Sequence, residues 1–293
     1  MTRDVVTADG RTLRVHESGD PDGRAVLVHH GTPGSGLLYP PHERDATAKG
    51  IRLIGYDRPG YGGSTRQAGR SVADAAGDVA RILDALEVER FASWGISGGG
   101  PHVLACAALL PDRCVGVASI ASVAPFDADG LDWLEGMGDG NQAEFGAAQA
   151  GVEPLRENLE RETAAMKTVT AEQLADAMRP FLSDRDAATL TGELAAFLLE
   201  WFNDGLRRGI DGWFDDDLAF LARWGFDLES IRIPVYLRQG RQDLMVPYAH
   251  GAWLAERIPG VEAELSENHG HLTLIADIPA AHAWLLERFD AAA

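Results

Sequence analysis

The segment from Phe91 to Leu110, FASWGISGGGPHVLACAALL, constrains the fold of this chain more than any other. A short apolar run ends in Gly95-Ile96-Ser97-Gly98-Gly99, and an alanine- and leucine-rich helical pattern follows. This order predicts a strand, a sharp turn and a helix, with Gly-x-Ser-x-Gly on the turn. Glycine is needed because so tight a corner strains the serine backbone, and flanking side chains would collide with the strand and the helix. The segment therefore predicts Ser97 as a nucleophile exposed above a sheet.

The same pentapeptide has a second interpretation, because a chain with 33 glycines can produce it by chance. Ser97 would then only cap the following helix. The position of the motif between a strand and a helix favours the nucleophile. Nucleotide-binding glycine loops are not indicated, since no Gly-x-Gly-x-x-Gly follows a strand and neither Lys49 nor Lys167 lies in a phosphate-loop pattern.

The charge and composition of the chain limit its partners. With 26 basic and 45 acidic residues the formal net charge is −19, which disfavours nucleic acid and anionic membrane surfaces. No signal peptide precedes Val5, and no apolar run approaches membrane-spanning length, so we expect a cytoplasmic protein. Cys106 and Cys114 are expected to be small buried side chains.

The chain divides by pattern into a core and an insertion. Apolar strand runs alternating with helical patterns predict an α/β core over residues 1–125 and 226–293. Residues 126–225 are helical in pattern, rich in aromatic and Met residues, and contain 21 acidic and 8 basic residues, or 13 of the 19 net negative charges. Helices are predicted there over Glu153–Lys167, Ala171–Leu182 and Ala187–Leu206, the second opened by a Thr170…Gln173 capping box. We expect this segment to form a helical cap over the site.

The loop after the strand Arg24–His30 reads His29-His30-Gly31-Thr32-Pro33-Gly34. Acyl transfer needs backbone N–H groups directed at a developing oxyanion, and Gly31 allows close approach of the chain. Thr32 can donate its N–H, whereas Pro33 has none. The alternative is a plain turn between a strand and a helix.

A nucleophilic serine needs a base and a carboxylate that orients the base. Asp243 and His271 follow successive predicted strands downstream of Ser97. His269 and His30 are alternative candidates for the base, although His30 is expected to support its loop. A metal site at His269 and His271 is not expected, because no ligand set of the usual spacing accompanies them. The rival carboxylates, just past the preceding strand, are Asp127, Asp129 and Asp132.

Five motifs taken together resemble those of the α/β-hydrolase superfamily over nearly the whole chain. They are HHGTPG (29–34), YDRPGYGGS (56–64), GISGG (95–99), GRQDLMVP (240–247) and GHLTL (270–274). The resemblance implies a mainly parallel eight-stranded sheet flanked by helices, with a helical cap over the site. It assigns Ser97 as nucleophile, Asp243 as acid and His271 as base. The N–H groups of Thr32 and Gly98 form the oxyanion hole in this assignment, with no cofactor and no metal.

The function expected from this resemblance is serine hydrolysis of a small carboxylic ester or lactone through an acyl-enzyme. A neutral or cationic small-molecule substrate is expected, because the acidic cap disfavours anions unless Arg58, Arg207 or Arg208 faces inward. The alternatives are an aminopeptidase of the proline-iminopeptidase kind, a C–C bond hydrolase, cofactor-free peroxidase-type activity, and a non-catalytic receptor on the same fold. Oligomeric state is left open.

Overall fold

A single sheet of eight strands organises the computed structural model, which describes residues 1–291. The last two residues of the predicted core range 226–293 lie outside the described residues. The sheet has the order β1-β2-β4-β3-β5-β6-β7-β8. Its strands are β1 (Thr2–Val6), β2 (Thr12–Gly19), β3 (Arg24–His29), β4 (Ile51–Tyr56), β5 (Phe91–Ile96), β6 (Cys114–Ile120), β7 (Val235–Gly240) and β8 (Glu262–Ser266).

Most of the sheet is parallel, as predicted. Strand β2 is antiparallel to both β1 and β4, and all the other neighbours are parallel. The register pairs His29 with Gly95 and Ile96 with Ile120, so β3, β5 and β6 end at one edge of the sheet. The carboxyl ends of parallel strands are where α/β proteins bind ligands, and the predicted site residues follow these ends.

Helices cover both faces of the sheet, because its central strands are apolar on both sides. Every residue of β5 and β6 is buried. The helices are α1 (Pro40–Ala48), α2 (Asp74–Ala85), α3 (Gly99–Leu109), α4 (Asp139–Ala150), α5 (Val152–Met166), α6 (Ala171–Met178), α7 (Asp184–Thr189), α8 (Glu193–Gly205), α9 (Asp211–Leu221), α10 (Tyr248–Arg257), α11 (His271–Ala276) and α12 (Ile278–Ala291). One apolar cluster joins the sheet to α2, α3 and α10, and a second joins it to α1, α11 and α12.

Residues 126–225, here called the helical insertion, lie between β6 and β7 and contain α4 to α9. The capping box predicted at Thr170 and Gln173 is present, with both of its hydrogen bonds formed. The prediction of one helix over Ala187–Leu206 is wrong, since α7 and α8 are separated at Gly192, which has a φ of 52°. Phe220 and Trp224 pack in the same apolar cluster as the sheet.

Within residues 1–291, no helix is both long enough and apolar enough to cross a bilayer. Cys106 and Cys114 are buried and unbridged, as expected for small apolar side chains.

Candidate active site

Ser97 lies on the sharp turn between β5 and α3, and its φ is +54°, in the left-handed region. The flanking glycines are required by close approaches. A Cβ at Gly95 would lie 2.3 Å from the carbonyl oxygen of Gly99, and one at Gly99 would lie 2.2 Å from that of His29. The Ser97 N–H donates to the Ile120 carbonyl at 2.9 Å, which fixes the turn to β6. The turn thus presents Ser97 at the edge of the sheet.

Asp243 and His271 meet at the same edge. His271 is the first residue of α11, and its Nδ1 lies 2.8 Å from Oδ2 of Asp243. The other carboxylate oxygen, Oδ1, accepts the N–H groups of Met245 and Val246 at 2.9 and 2.8 Å. The side chains of Asp243 and His271 are both buried. Because Asp243 occupies Nδ1, the Nε2 atom of His271 is left to exchange a proton with another group.

The protonation of His271 is set by two opposing effects. Burial acts to lower its pKa, but the charge of Asp243 and the hydrogen bond to it, with a further contribution from Asp186, outweigh burial and raise the pKa above 6.5. The site therefore stabilises the imidazolium that would form when the histidine takes a proton.

Thr32 and Gly98 offer two backbone donors beside Ser97. Neither N–H has a hydrogen-bond acceptor among residues 1–291. The two residues adjoin, since a Cβ at Gly98 would lie 2.3 Å from Thr32 Oγ1. Both line a small space that also includes Ser97. The pair is suited to hold an oxyanion on a substrate bound at Ser97.

A cavity of about 210 Å³ contains Ser97, Thr32 and His271 in its wall. Much of its lining comes from apolar side chains of the helical insertion, namely Met166, Leu174, Met178, Phe181, Leu198, Trp201, Phe202 and Trp213. The described residues that line it include Glu144 and Glu162 but no Arg or Lys. An apolar cavity with a few polar groups is the usual form of a small-molecule site.

Glu144 is the half-buried carboxylate of this wall. It accepts a hydrogen bond from the indole N–H of Trp213 at 2.7 Å. Burial raises the pKa of Glu144 to about 7. Burial and the neighbouring Glu144 raise the pKa of Asp217 well above its usual range.

A buried ionic cluster holds the loop that carries Thr32. Asp216, on α9, contacts the guanidinium groups of Arg58 and Arg70, each at 2.6 Å. It also accepts the hydroxyls of Thr32 and Tyr61 at 2.7 and 2.8 Å. Burial acts to raise the pKa of Asp216, but the two arginines hold it well below its usual range. Helix α9 is thereby tied to the predicted oxyanion loop.

The rival carboxylates lie elsewhere. Asp127 is exposed and 3.9 Å from Arg223, and neither Asp129 nor Asp132 lines the cavity. None of the three forms a hydrogen bond with His271 within the described chain.

The two rival histidines, His30 and His269, each form hydrogen bonds with other groups. His30 bonds the Gly31 carbonyl through Nδ1 at 2.7 Å and accepts the Arg58 N–H through Nε2 at 3.1 Å. Burial lowers its pKa well below 6.5, so His30 is a neutral support of its loop. His269 bonds the Ser266 hydroxyl through Nδ1 at 2.8 Å and does not line the cavity.

Three acidic side chains that contact the site were not singled out from the sequence: Glu144, Asp186 and Asp216. A signal existed for one of them. Asp215-Asp216-Asp217 interrupts an otherwise apolar stretch, and three consecutive helical residues cannot all face solvent when the helix is packed on several sides.

His16, Asp57 and Asp204 place ligand atoms within 4.8 Å of one another, the spacing of a possible metal group. Asp57 already accepts the N–H groups of Gly36 and Gly63, each at 2.7 Å. None of the three lines the cavity with Ser97, and Asp57 acts as a support for its loop.

Comparison with known proteins agrees with this architecture. A family model described as alpha/beta hydrolase fold matches residues 24–277. The chain is 29% identical to a 2-hydroxy-6-oxononadienedioate/2-hydroxy-6-oxononatrienedioate hydrolase of Burkholderia vietnamiensis, over 91% of this chain and 87% of the relative. It is 26% identical to a bifunctional esterase/perhydrolase of Acinetobacter calcoaceticus, over 83% of each chain.

Among solved structures, a bromoperoxidase from Bacillus anthracis superposes with a TM-score of 0.72 at 22% identity, covering 98% of this chain and all of that one. Relatives with different reactions thus share one fold, and their names support a hydrolase without fixing the bond that is cleaved. The match over residues 24–277 shows that the chain belongs to the α/β-hydrolase fold family.

Proposed function

We propose that this protein is a serine hydrolase that cleaves a small carboxylic ester or lactone through an acyl-enzyme. The observation that carries the proposal is the 2.8 Å contact between His271 Nδ1 and Asp243 Oδ2, in a cavity whose wall also contains Ser97. A base oriented by a carboxylate beside a serine on a strained turn is the arrangement that activates a hydroxyl.

In the proposed reaction, Ser97 Oγ attacks the carbonyl carbon while His271 Nε2 takes its proton. The oxyanion accepts hydrogen bonds from the N–H groups of Thr32 and Gly98. His271 returns the proton to the leaving alcohol, and an acyl-enzyme remains. Water, deprotonated by the same imidazole, then attacks the acyl carbon. His271 returns that proton to Ser97 Oγ as the acyl–oxygen bond breaks, and the acid is released.

We propose further that the helical insertion acts as the cap and selects the substrate. Its apolar side chains suit a modest apolar group, and Glu144 and Glu162 disfavour an anion in the same space. The arginines that could have reversed this preference do not line the cavity. Arg58 is held by Asp216 and the backbone, and Arg207 lies 3.7 Å from Asp204. A dienoate substrate is accordingly less suitable than a neutral or cationic ester.

An aminopeptidase is the second candidate, since the carboxylates of Glu144 and Glu162 could bind a free amino group of a substrate. Aminoacyl anilides and esters distinguish the two, because only an aminopeptidase would prefer the anilide with its free amine to an acetylated one.

The first test combines a substrate panel with an active-site label. Aryl esters, lactones and aminoacyl anilides are assayed, and a fluorophosphonate probe reports the serine. Ser97→Ala should lose labelling and lower kcat by roughly 10³-fold or more, because a site without its nucleophile keeps only binding and oxyanion contacts. An unchanged circular dichroism spectrum controls for folding, and full activity of the variant would overturn the proposal.

A further inference from the structure

Asp186 is a buried carboxylate of the helical insertion that contacts the residue proposed as the base. It lies on α7 and has no exposed surface. Its Oδ2 accepts the backbone N–H of His271 at 2.8 Å, and its Oδ1 accepts that of Thr273 at 2.9 Å. One side chain of the insertion thus holds the first turn of α11.

The surroundings make this contact a strong one. Within residues 1–291, no Lys or Arg forms a salt bridge with Asp186. Leu182, Leu190 and Leu272 pack in one apolar cluster around the junction of α7 and α11. A buried carboxylate without a cationic partner costs several kcal/mol, and here charge-assisted bonds from two backbone N–H groups offset that cost.

The chain is shaped to admit this carboxylate. A Cβ at Gly270 would lie 2.1 Å from Oδ2 of Asp186, so only glycine leaves room at that position. The backbone N–H of Asp186 donates to the hydroxyl oxygen of Ser183 at 3.2 Å, and this bond caps the start of α7. Both sides of the contact are therefore fixed.

We propose that Asp186 is a positioning residue for the base: it holds the backbone of His271 while Asp243 holds the ring, and it adds a second negative charge beside the imidazole. This rests on the proposed role of His271. When His271 takes the serine proton, its ring contacts Asp243 and its backbone N–H contacts Asp186, two carboxylates from different parts of the chain. The base can then act only when the helical insertion is packed correctly against α11.

Glu144 and Glu162 line the same cavity as His271, and two further carboxylates contact His271 directly. Asp243 faces it from the loop after β7, and Asp186 faces it from α7. His250, on α10 near Asp243, is neutral because burial lowers its pKa to about 4. Both carboxylates raise the pKa of His271 against the effect of burial. Removing either negative charge should therefore lower the pH at which the base loses its proton.

The test compares Asp186→Asn and Asp186→Ala with Asp184→Asn, a change of an exposed aspartate on the same helix. The assay is the hydrolysis of a neutral ester from pH 5 to 9. Asp186→Asn keeps one hydrogen-bond acceptor but removes the negative charge. Its kcat should fall roughly tenfold with little change in KM, because the substitution displaces the base and leaves the substrate-binding site intact. The acid limb of kcat/KM should move down by roughly half a pH unit or more. Asp186→Ala should lose roughly 100-fold, and Asp184→Asn should match the wild type.

Thermal unfolding, measured on each variant, separates positioning from stability. The proposal would be overturned if Asp186→Asn folds, keeps kcat within twofold of wild type and shows no shift in the acid limb of kcat/KM. Asp186 would then have only a structural role. His271→Ala is assayed in parallel. If that variant kept wild-type activity, the proposed function would fail instead, so the two failures are distinguishable.

Discussion

At the scale of residues, the proposed chemistry depends on which histidine the loop after β8 delivers to Ser97. His271 lies in the cavity wall and contacts Asp243, whereas His269 turns to Ser266. His271→Ala should lower kcat by roughly 10³-fold or more, because a triad fails as a unit when one member is removed. His269→Ala should stay close to wild type. The measurement is steady-state hydrolysis of an aryl ester, and the reverse ranking would identify His269 as the base.

Glu144 should make substrate preference depend on pH. Its pKa of about 7 means that it is neutral at pH 6 and anionic at pH 8. The ratio of kcat/KM for a quaternary-ammonium ester to that for its uncharged tert-butyl analogue should rise as pH increases through 7. About 1 kcal/mol of ion pairing gives roughly a fivefold change. Titration of His271 affects both substrates equally and cancels in the ratio.

Two variants check the origin of that effect. Glu144→Gln should make the ratio independent of pH, and Glu160→Gln, at an exposed position of α5, should leave the wild-type curve unchanged. A salt series is a second control, since ion pairing at a partly solvated site weakens with ionic strength. A flat ratio in the wild type would show that the insertion carboxylates do not select by charge.

At the scale of elements, α9 and the loop after β3 act as one unit through Asp216. Asp216→Asn should destabilise the fold by about 3–5 kcal/mol, because it leaves two buried guanidinium groups without their counterion. It should also lower kcat, because the Thr32 hydroxyl loses the carboxylate that accepts its hydrogen bond. Urea unfolding and ester hydrolysis measure the two effects.

The matched control for this change is Asp211→Asn on the same helix. Asp211 pairs with Arg66 at the surface at 2.7 Å, and such pairs contribute about 1 kcal/mol or less. Equal losses in the two variants would mean that the buried cluster adds nothing beyond an ordinary surface pair.

The elements also show how far sequence reasoning reaches. The motif-bearing loops at Ser97, Asp243 and His271 could be predicted, because each follows an apolar strand and carries its chemistry within a few residues. The break between α7 and α8 was missed, because the apolar period continues through Gly192 and periodicity does not record a reversed φ. The bond from His271 to Asp186 joins residues 85 apart in the chain. No local pattern encodes a tertiary contact of that kind.

At the scale of the whole molecule, the helical insertion is attached to the sheet at two places that matter for chemistry. Asp216 binds the loop of Thr32, and Asp186 binds the residue proposed as the base. Both carboxylates are fully buried, so each attachment excludes water. The remaining acidic residues of the insertion include exposed ones such as Asp184, which keep its outer face solvated.

These two attachments bear on how such an enzyme could be redesigned or could diverge. A grafted insertion from another protein would bring new pocket walls, but it would also remove the two aspartates that contact the Thr32 loop and the residue proposed as the base. A chimaera should recover turnover only when carboxylates equivalent to Asp186 and Asp216 are retained at the junctions. If the proposed roles hold, selectivity should change readily through single substitutions in the pocket wall, and replacing the whole insertion should abolish turnover.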